Sequence, residues 1–348
     1  MEPKVNHQWL LERRPRGLVT REDFRWAEQP IPSPADGEVL VRNLYLSCDP
    51  TQRGWMAADT YLPAVALGEV MRSFAAGEVV ESRAPRFQRG ELVQGLFGWQ
   101  EYAIARPNTP SAPARLPPGA SIETAMSALG LTGITAYFGL LEIGRPVAGE
   151  TVVVSGAAGA TGSIVGQIAK LKGCRVVGIA GGPEKCQYVV RDLGFDAAVD
   201  YRAEDVSERL RATCPDGVHV YFDNVGGAAL EAALERLALR GRVVLCGAIA
   251  RYNDAAPPRG PRNYLNLLVR RGRMEGFIVL DYMSRAREAV AALSGWLQEG
   301  KIKDRVDVQH GLESAPDALA RLFKGENQGK QLVKIAERIT AAGEPAPR

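Results

Sequence analysis

Two hydrophobic rhythms divide the chain. Over the first third, apolar and polar residues trade places in short runs at 38–46, 79–82, 92–94 and 101–105, bounded by Gly, Pro or charged residues. Short alternating runs separated by turn residues predict a β-rich domain over 1–124. From 125 to 302 the rhythm changes. Brief β-branched runs at 151–154, 175–180, 197–199, 218–223, 242–246 and 274–280 are interleaved with helical patterns, including those near 228–239, 263–271 and 283–299. Strands that alternate with helices predict an α/β domain with a doubly wound parallel sheet. Residues 303–348 return to strand pattern at 331–335 and are expected to complete the first domain. Residues 107–118 hold five prolines and read as the crossing between domains. The end, 340–348, is small, polar and Pro-containing, a composition expected to stay disordered.

The first strand of the second domain runs into the segment TVVVSGAAGATGS at 151–163. Gly156, Gly159 and Gly162 stand three apart, and Ile164, Val165, Ile168 and Leu171 then mark one face of a helix. Strand, glycine turn, helix is the context of a dinucleotide site: bare glycines let the backbone approach a pyrophosphate, and the helix start offers N–H groups. The pattern is a variant, because Ala157 stands two before Gly159, where a glycine is usual. A glycine-rich turn without a ligand is the competing reading.

The second strand bears on the nucleotide. An acidic residue about 20 residues past the glycines binds a ribose 2′-hydroxyl in NAD sites. Here the strand ends in Ala180-Gly181-Gly182-Pro183, and Lys185 follows on the next helix. A cation without a competing acid favours a 2′-phosphate, hence NADP(H); a solvated helix lysine is the alternative. Tyr201-Arg202 follows the third strand. In an open α/β sheet, ligands lie beyond the carboxyl ends of the strands. The fourth strand delivers Asp223-Asn224-Val225-Gly226-Gly227, where Asn224 can meet a ribose or carboxamide and the glycines read as a turn before a helix; the fifth delivers 246–253, ending in Tyr252-Asn253; the sixth delivers Phe277-Ile278-Val279. Tyr252, the one phenol in this set, suits an oxyanion or is an ordinary loop tyrosine.

Charge and cysteines narrow the chemistry. A net charge of +3 without a basic run implies neither nucleic acid nor a membrane surface. The first 17 residues are charged and lack a signal-peptide core, and the uncharged stretches 124–141 and 151–169 are broken by Gly, Ser and Thr. Five cysteines without a CxxC spacing fit free thiols in a reducing, cytoplasmic compartment. Only three histidines, His7, His219 and His310, are present, and Cys48 is the sole thiol of the first domain, so no zinc constellation can be assembled. His219 reads as a satisfied strand histidine and Cys48 as a small buried side chain.

At this point the residues resemble the medium-chain dehydrogenase/reductase family, in its zinc-independent branch of prostaglandin, alkenal double-bond and curcumin reductases. The likeness covers nearly the whole chain. It includes Asp49-Pro50, Arg53-Gly54, Gly68-Glu69-Val70-Met71, the run 130–141, the glycine turn through Gly182, YFDNVGG at 221–227, 246–253, 260–268, 273–279 and GENQGK at 325–330. It implies a Rossmann domain beside a GroES-like catalytic domain. It implies that Ala160, Thr161, Gly162 and Ser163 contact the pyrophosphate of NADP(H), with Gly156 and Gly159 forming the turn. Lys185 and Tyr201 hold the 2′-phosphate end. Asn224, Cys246, Gly247, Ala248, Ile249, Tyr252, Phe277, Ile278, Val279 and Asn327 line the rest. Tyr252 binds the substrate carbonyl oxygen, and Tyr61 matches a tyrosine near the substrate. One departure matters: many relatives read Asp-Pro-Tyr-Met-Arg where this chain has Asp49-Pro50-Thr51-Gln52-Arg53.

The implied activity is NADPH-dependent, metal-free reduction of the C=C bond of α,β-unsaturated aldehydes or ketones. Hydride goes to the β-carbon, and the α-carbon proton comes from Tyr252 or water. A quinone reductase of the same superfamily would instead turn over quinones fast. A non-catalytic NADPH-binding redox sensor would bind the nucleotide without turnover. A homodimer is implied by the likeness alone.

Overall fold

A computed structural model describes residues 5–109, 111–254, 256 and 260–339, so the tail 340–348 lies outside the described residues. The chain forms two compact units. The first is drawn from Met1–Ile122, Val308–Leu322 and Gln331–Arg348, the second from Glu123–Asp307 and Phe323–Lys330. The return segment 303–348 is therefore shared between both.

The first unit opens with a hairpin that the period does not announce. Strands β1 (Val5–Leu11) and β2 (Phe24–Pro30) pair antiparallel, with Trp9 opposite Trp26 and their rings 5.0 Å apart. Asn6 is buried and breaks the alternation; its side chain both donates to and accepts from the backbone of Tyr102 at 2.9 Å, which meets the cost of burying an amide. Then come β3 (Val39–Ser47), α1 (Gln52–Ala57), β4 (Phe74–Ser82), β5 (Leu92–Leu96), β6 (Tyr102–Ala105) and β7 (Ala114–Arg115). β4 starts five residues before the expected run at 79. After Phe74 its first half is the small run Ala75-Ala76-Gly77, and Gly77 has no room for a side chain, because a Cβ there would lie 2.3 Å from the Arg42 carbonyl oxygen.

In the second unit, α2 (Ile122–Met126) and α3 (Leu131–Phe138) precede β8 (Thr151–Ser155), α4 (Ala160–Leu171), β9 (Arg175–Ala180), α5 (Pro183–Gln187), β10 (Ala197–Asp200) and α6 (Val206–Thr213). The second half comprises β11 (Val218–Asp223), α7 (Gly227–Glu235), β12 (Leu237–Leu245), α8 (Asn266–Arg270), β13 (Arg273–Gly276) and α9 (Ala286–Gln298). All neighbours are parallel in the order β10-β9-β8-β11-β12-β13, the dinucleotide-fold order. The Rossmann expectation holds, and β8 is fully buried, as its unbroken apolar run requires.

Within the second unit several details differ from expectation. α7 stops at Glu235, not 239; β12 starts at Leu237 and takes an irregular turn at Arg240 (φ +60°), where Gly241 follows and the ladder to β11 shifts register. β13 ends at Gly276, and Val279–Arg285 form a 3-10 turn rather than strand or α-helix. Leu171, expected on the buried face of α4, sits in its last turn and is exposed. Finally β14 (Val306–His310), α10 (Ala315–Lys324) and β15 (Lys330–Lys334) complete a seven-stranded sheet ordered β14-β15-β3-β4-β5-β7, with β6 on β3. Among the described residues, no helix is long and apolar enough to cross a membrane.

Candidate functional site

The glycine turn is built by close backbone packing. Gly156 has φ +61°, the left-handed region that favours glycine, and its carbonyl accepts from Gly159 N at 3.0 Å. A Cβ on Gly162 would sit 2.3 Å from that same carbonyl oxygen, so only glycine lets α4 begin this close to the strand. Gly159 is the N-cap, and its carbonyl accepts from Ser163 N at 3.0 Å. The amides of Ala160, Thr161 and Gly162 come before the first such bond and lie at the positive end of the helix. Ser163 is buried, its hydroxyl spent on the Ala160 carbonyl at 3.2 Å.

At the end of β9, side chains from three segments converge. Lys185 Nζ donates to the Gly325 carbonyl at 2.8 Å. The Tyr201 ring lies over Gly181, where a Cβ would meet it at 2.8 Å. Asp200 supplies a carboxylate that reading along β9 could not reveal, but its Oδ1 accepts from Gly182 N (2.8 Å) and Arg202 N (3.0 Å). The segment 325–330 also meets the glycine turn: Gly329 N donates to the Ala158 carbonyl at 2.9 Å, and Asn327 Nδ2 donates to the Gly329 carbonyl at 2.9 Å.

The β11 end is organised by Asp223, a strand-end residue to which the sequence assigns no role. Asp223 Oδ1 accepts from Ser155 Oγ (3.0 Å), the Tyr221 hydroxyl (3.0 Å), Val225 N (3.0 Å) and Gly226 N (2.8 Å). Burial holds its carboxyl above the usual range despite those four donors. The signal was local: an acid followed two and three residues on by turn amides is an Asx-type turn. Asn224 is fixed by Ser155, its Nδ2 donating to the Ser155 carbonyl at 2.7 Å and its own amide to Ser155 Oγ at 2.9 Å. The amide donor expected to reach a ligand is thus engaged within the turn.

Beyond β12, Cys246 N and Gly247 N both donate to the Asp223 carbonyl, at 2.9 and 3.0 Å. Burial, with the Asp223 charge, pushes the Cys246 thiol up to about 12, so it stays protonated. A 3-10 turn, Ile249–Arg251, then folds Tyr252 back: Ala248 N donates to the phenol oxygen at 3.1 Å. A Cβ on Gly247 would lie 3.2 Å from that oxygen. Phe277 packs with its ring edge-on to Phe222, centroids 6.4 Å apart, and leads into Ile278 and Val279, all half-buried.

Tyr61 belongs to the first unit. It is exposed, its hydroxyl 2.6 Å from Thr51 Oγ1 and its ring edge-on to Trp55. The Thr51 departure therefore gives Tyr61 a hydroxyl partner. His219 Nδ1 accepts from Thr151 N at 3.2 Å, a strand histidine with its partner; Cys48 is buried.

Residues 7–112 match the family model described as N-terminal domain of oxidoreductase, and 160–295 that described as zinc-binding dehydrogenase. The chain is 41% identical to the NADPH-dependent curcumin reductase of Escherichia coli, over 95% of this chain and 98% of that protein. It is 42% identical to the 2-alkenal reductase (NADP(+)-dependent) of Nicotiana tabacum, over 86% and 88%. The crystal structure of CurA from Vibrio vulnificus in complex with NADPH matches with a TM-score of 0.89 at 42% identity, over 95% of this chain and 99% of that one.

Proposed function

The chain belongs to the medium-chain dehydrogenase/reductase family, and from that premise we propose that it reduces the C=C bond of α,β-unsaturated aldehydes or ketones with NADPH. The dinucleotide suits the residues present. Gly156 and Gly162 keep the approach to the first turn of α4 free of side chains, and Lys185 adds a cation on α5, just beyond a β9 end that carries no acid. Bound there, NADPH would supply the hydride. Asn224, the 246–252 loop, Phe277–Val279 and Asn327 would position it.

The observation that carries the reading is the hydroxyl of Tyr252, placed at the carboxyl end of β12 with Ala248 N donating to it at 3.1 Å. A phenol oxygen that already accepts an N–H is a stronger O–H donor. Such a donor suits the enolate oxygen that develops when hydride reaches the β-carbon. Conjugation carries the negative charge onto that oxygen, so a hydrogen bond can do the work of a Lewis acid.

The test is a spectrophotometric screen of NADPH consumption over enals, enones, quinones and simple ketones. Enals and enones should turn over fastest. Dominant quinone turnover would replace this reading with a quinone reductase, and tight NADPH binding without turnover would leave a redox sensor. A cytoplasmic location belongs to the same proposal, supported by five free cysteines. So does a homodimer, which light scattering would show as twice the chain mass.

A further inference from the structure

We propose that Arg72 is a specificity-determining residue that receives a carboxylate, so that the preferred substrates are α,β-unsaturated aldehydes or ketones with an acidic group at the far end of an apolar chain. The proposal rests on the enone reading above. A cleft of about 360 Å³ lies wholly within the first unit. Val70, Leu96 and Phe97 give it an apolar lining, and two cations, Arg72 and Arg106, stand at it with one acid, Glu69. The two cations differ in how their charge is answered. Arg106 Nε donates to Glu38 Oε1, an ion pair. Arg72 Nη1 donates only to the Pro63 carbonyl, at 2.7 Å, and its guanidinium lies over the Trp55 ring, 5.7 Å from the centroid. Among the described residues no carboxylate pairs with it, because Glu69 Oε2 is turned to Ala66 N at 3.3 Å. Partial burial opposes the Arg72 charge more than Glu69 supports it. A guanidinium keeps its charge and carries five donors, so a half-buried one without a counter-ion favours an incoming anion. The apolar lining beside it suits the chain that bears a carboxylate.

The cleft is tied to the substrate side through one loop. Arg72 holds the carbonyl of Pro63, two residues past Tyr61, which the family likeness puts near the substrate. Val65 N donates to the Trp55 carbonyl at 2.8 Å, and the Tyr61 ring stands edge-on to Trp55, centroids 6.4 Å apart. Both departures from Asp-Pro-Tyr-Met-Arg lead here. Thr51 meets the Tyr61 hydroxyl at 2.6 Å, and the buried Gln52 donates through Nε2 to the Arg72 carbonyl at 3.0 Å. The residues that set this chain apart thus fix the Tyr61 phenol and the backbone of the unpaired cation.

The experiment uses the full chain with NADPH and compares an α,β-unsaturated aldehyde that ends in a carboxylate with its methyl ester. The wild type should favour the acid in kcat/KM. Arg72→Gln should shrink the acid-to-ester ratio about tenfold, the size of a lost charge-assisted hydrogen bond. Arg72→Lys, which keeps the charge, should recover part of it. Octanoate titrated by calorimetry reads the same site without turnover, and Arg72→Gln should bind it about tenfold more weakly. Equal loss for acid and ester in Arg72→Gln, as a residue that only holds the Tyr61 loop would give, overturns the inference. So does octanoate that binds both chains alike or neither. If neither substrate consumes NADPH while octanoate still binds through Arg72, the enone reading fails and the anion site stands.

Discussion

Tyr252→Phe deletes one hydroxyl and leaves a ring of the same shape. If that hydroxyl donates to a developing enolate oxygen, its loss falls on the transition state and appears in kcat rather than in nucleotide affinity. Removing one oxyanion donor costs about 2.7–4 kcal/mol in other enzymes; a half-buried phenol should cost less, on the order of 1–3 kcal/mol. The expected outcome is a kcat for an enone lowered by that amount under saturating NADPH, with NADPH affinity within about twofold of wild type. Unchanged kcat would remove Tyr252 from the chemistry. The place of Tyr252 after the fifth strand was legible in the sequence, because the order of the elements fixes it. Asp223 stood at the end of the fourth strand without a role, although its buried carboxyl gathers four donors and sets the turn that holds Asn224. Acids at strand ends are common, and only the folded chain shows which amides turn toward one. The Thr51–Tyr61 contact was equally hidden, since it joins a helix start to a loop ten residues on.

At the scale of elements, α4 is the piece whose placement matters most, because its first turn faces the glycines. Gly166 lies in its middle, and a Cβ there would fall 1.8 Å from Phe195 Cζ. Gly166→Ala must move either the helix or a buried aromatic ring. Overpacking of this kind costs about 1–3 kcal/mol, more than the helix propensity that alanine gains. Chemical denaturation should show that loss, with weaker NADPH binding beside it; a stabilised variant would mean the helix has room to shift. The other end of α4 is held electrostatically. Asp196 accepts from Lys170 Nζ at 2.8 and 2.9 Å and from Val176 N at 2.7 Å. Partial burial opposes the charge, but those bonds outweigh it and hold the carboxyl below its ordinary value. Its stabilisation is therefore full above the unfolded pKa of 3.8 and is lost as pH falls through the lower folded value. Asp196→Asn should be less stable than wild type at pH 7, and denaturation curves should converge only below pH 3.8. The central parallel strands β8, β9 and β11 were legible because each carries a mostly buried, largely apolar run. The β1–β2 hairpin and the first half of β4 were not, since a satisfied buried Asn6 and a run of small residues erase the alternation on which such a reading depends.

For the whole molecule, the open question of chemistry is metal. One matching family model carries the description zinc-binding dehydrogenase, yet the donors of this chain are dispersed. Among the described residues, no group of three or more His, Cys, Asp or Glu is placed to hold a metal ion. His7 Nδ1 is 2.8 Å from Glu101, with its ring stacked on Trp26; His219 is spent on Thr151 N; His310 is exposed on β14. The five cysteines are all free, and burial raises the thiols of Cys174, Cys186, Cys214 and Cys246, which disfavours the thiolate that zinc requires. Elemental analysis of the purified chain should therefore find no stoichiometric zinc, and enone reduction should survive prolonged chelation. Zinc at one per chain, with activity lost on its removal and restored on its return, would overturn the metal-free mechanism. The two tests interlock. If a hydrogen bond polarises the carbonyl, Tyr252→Phe loses rate that added zinc does not restore. If a metal does so, that variant keeps its rate and chelation abolishes it.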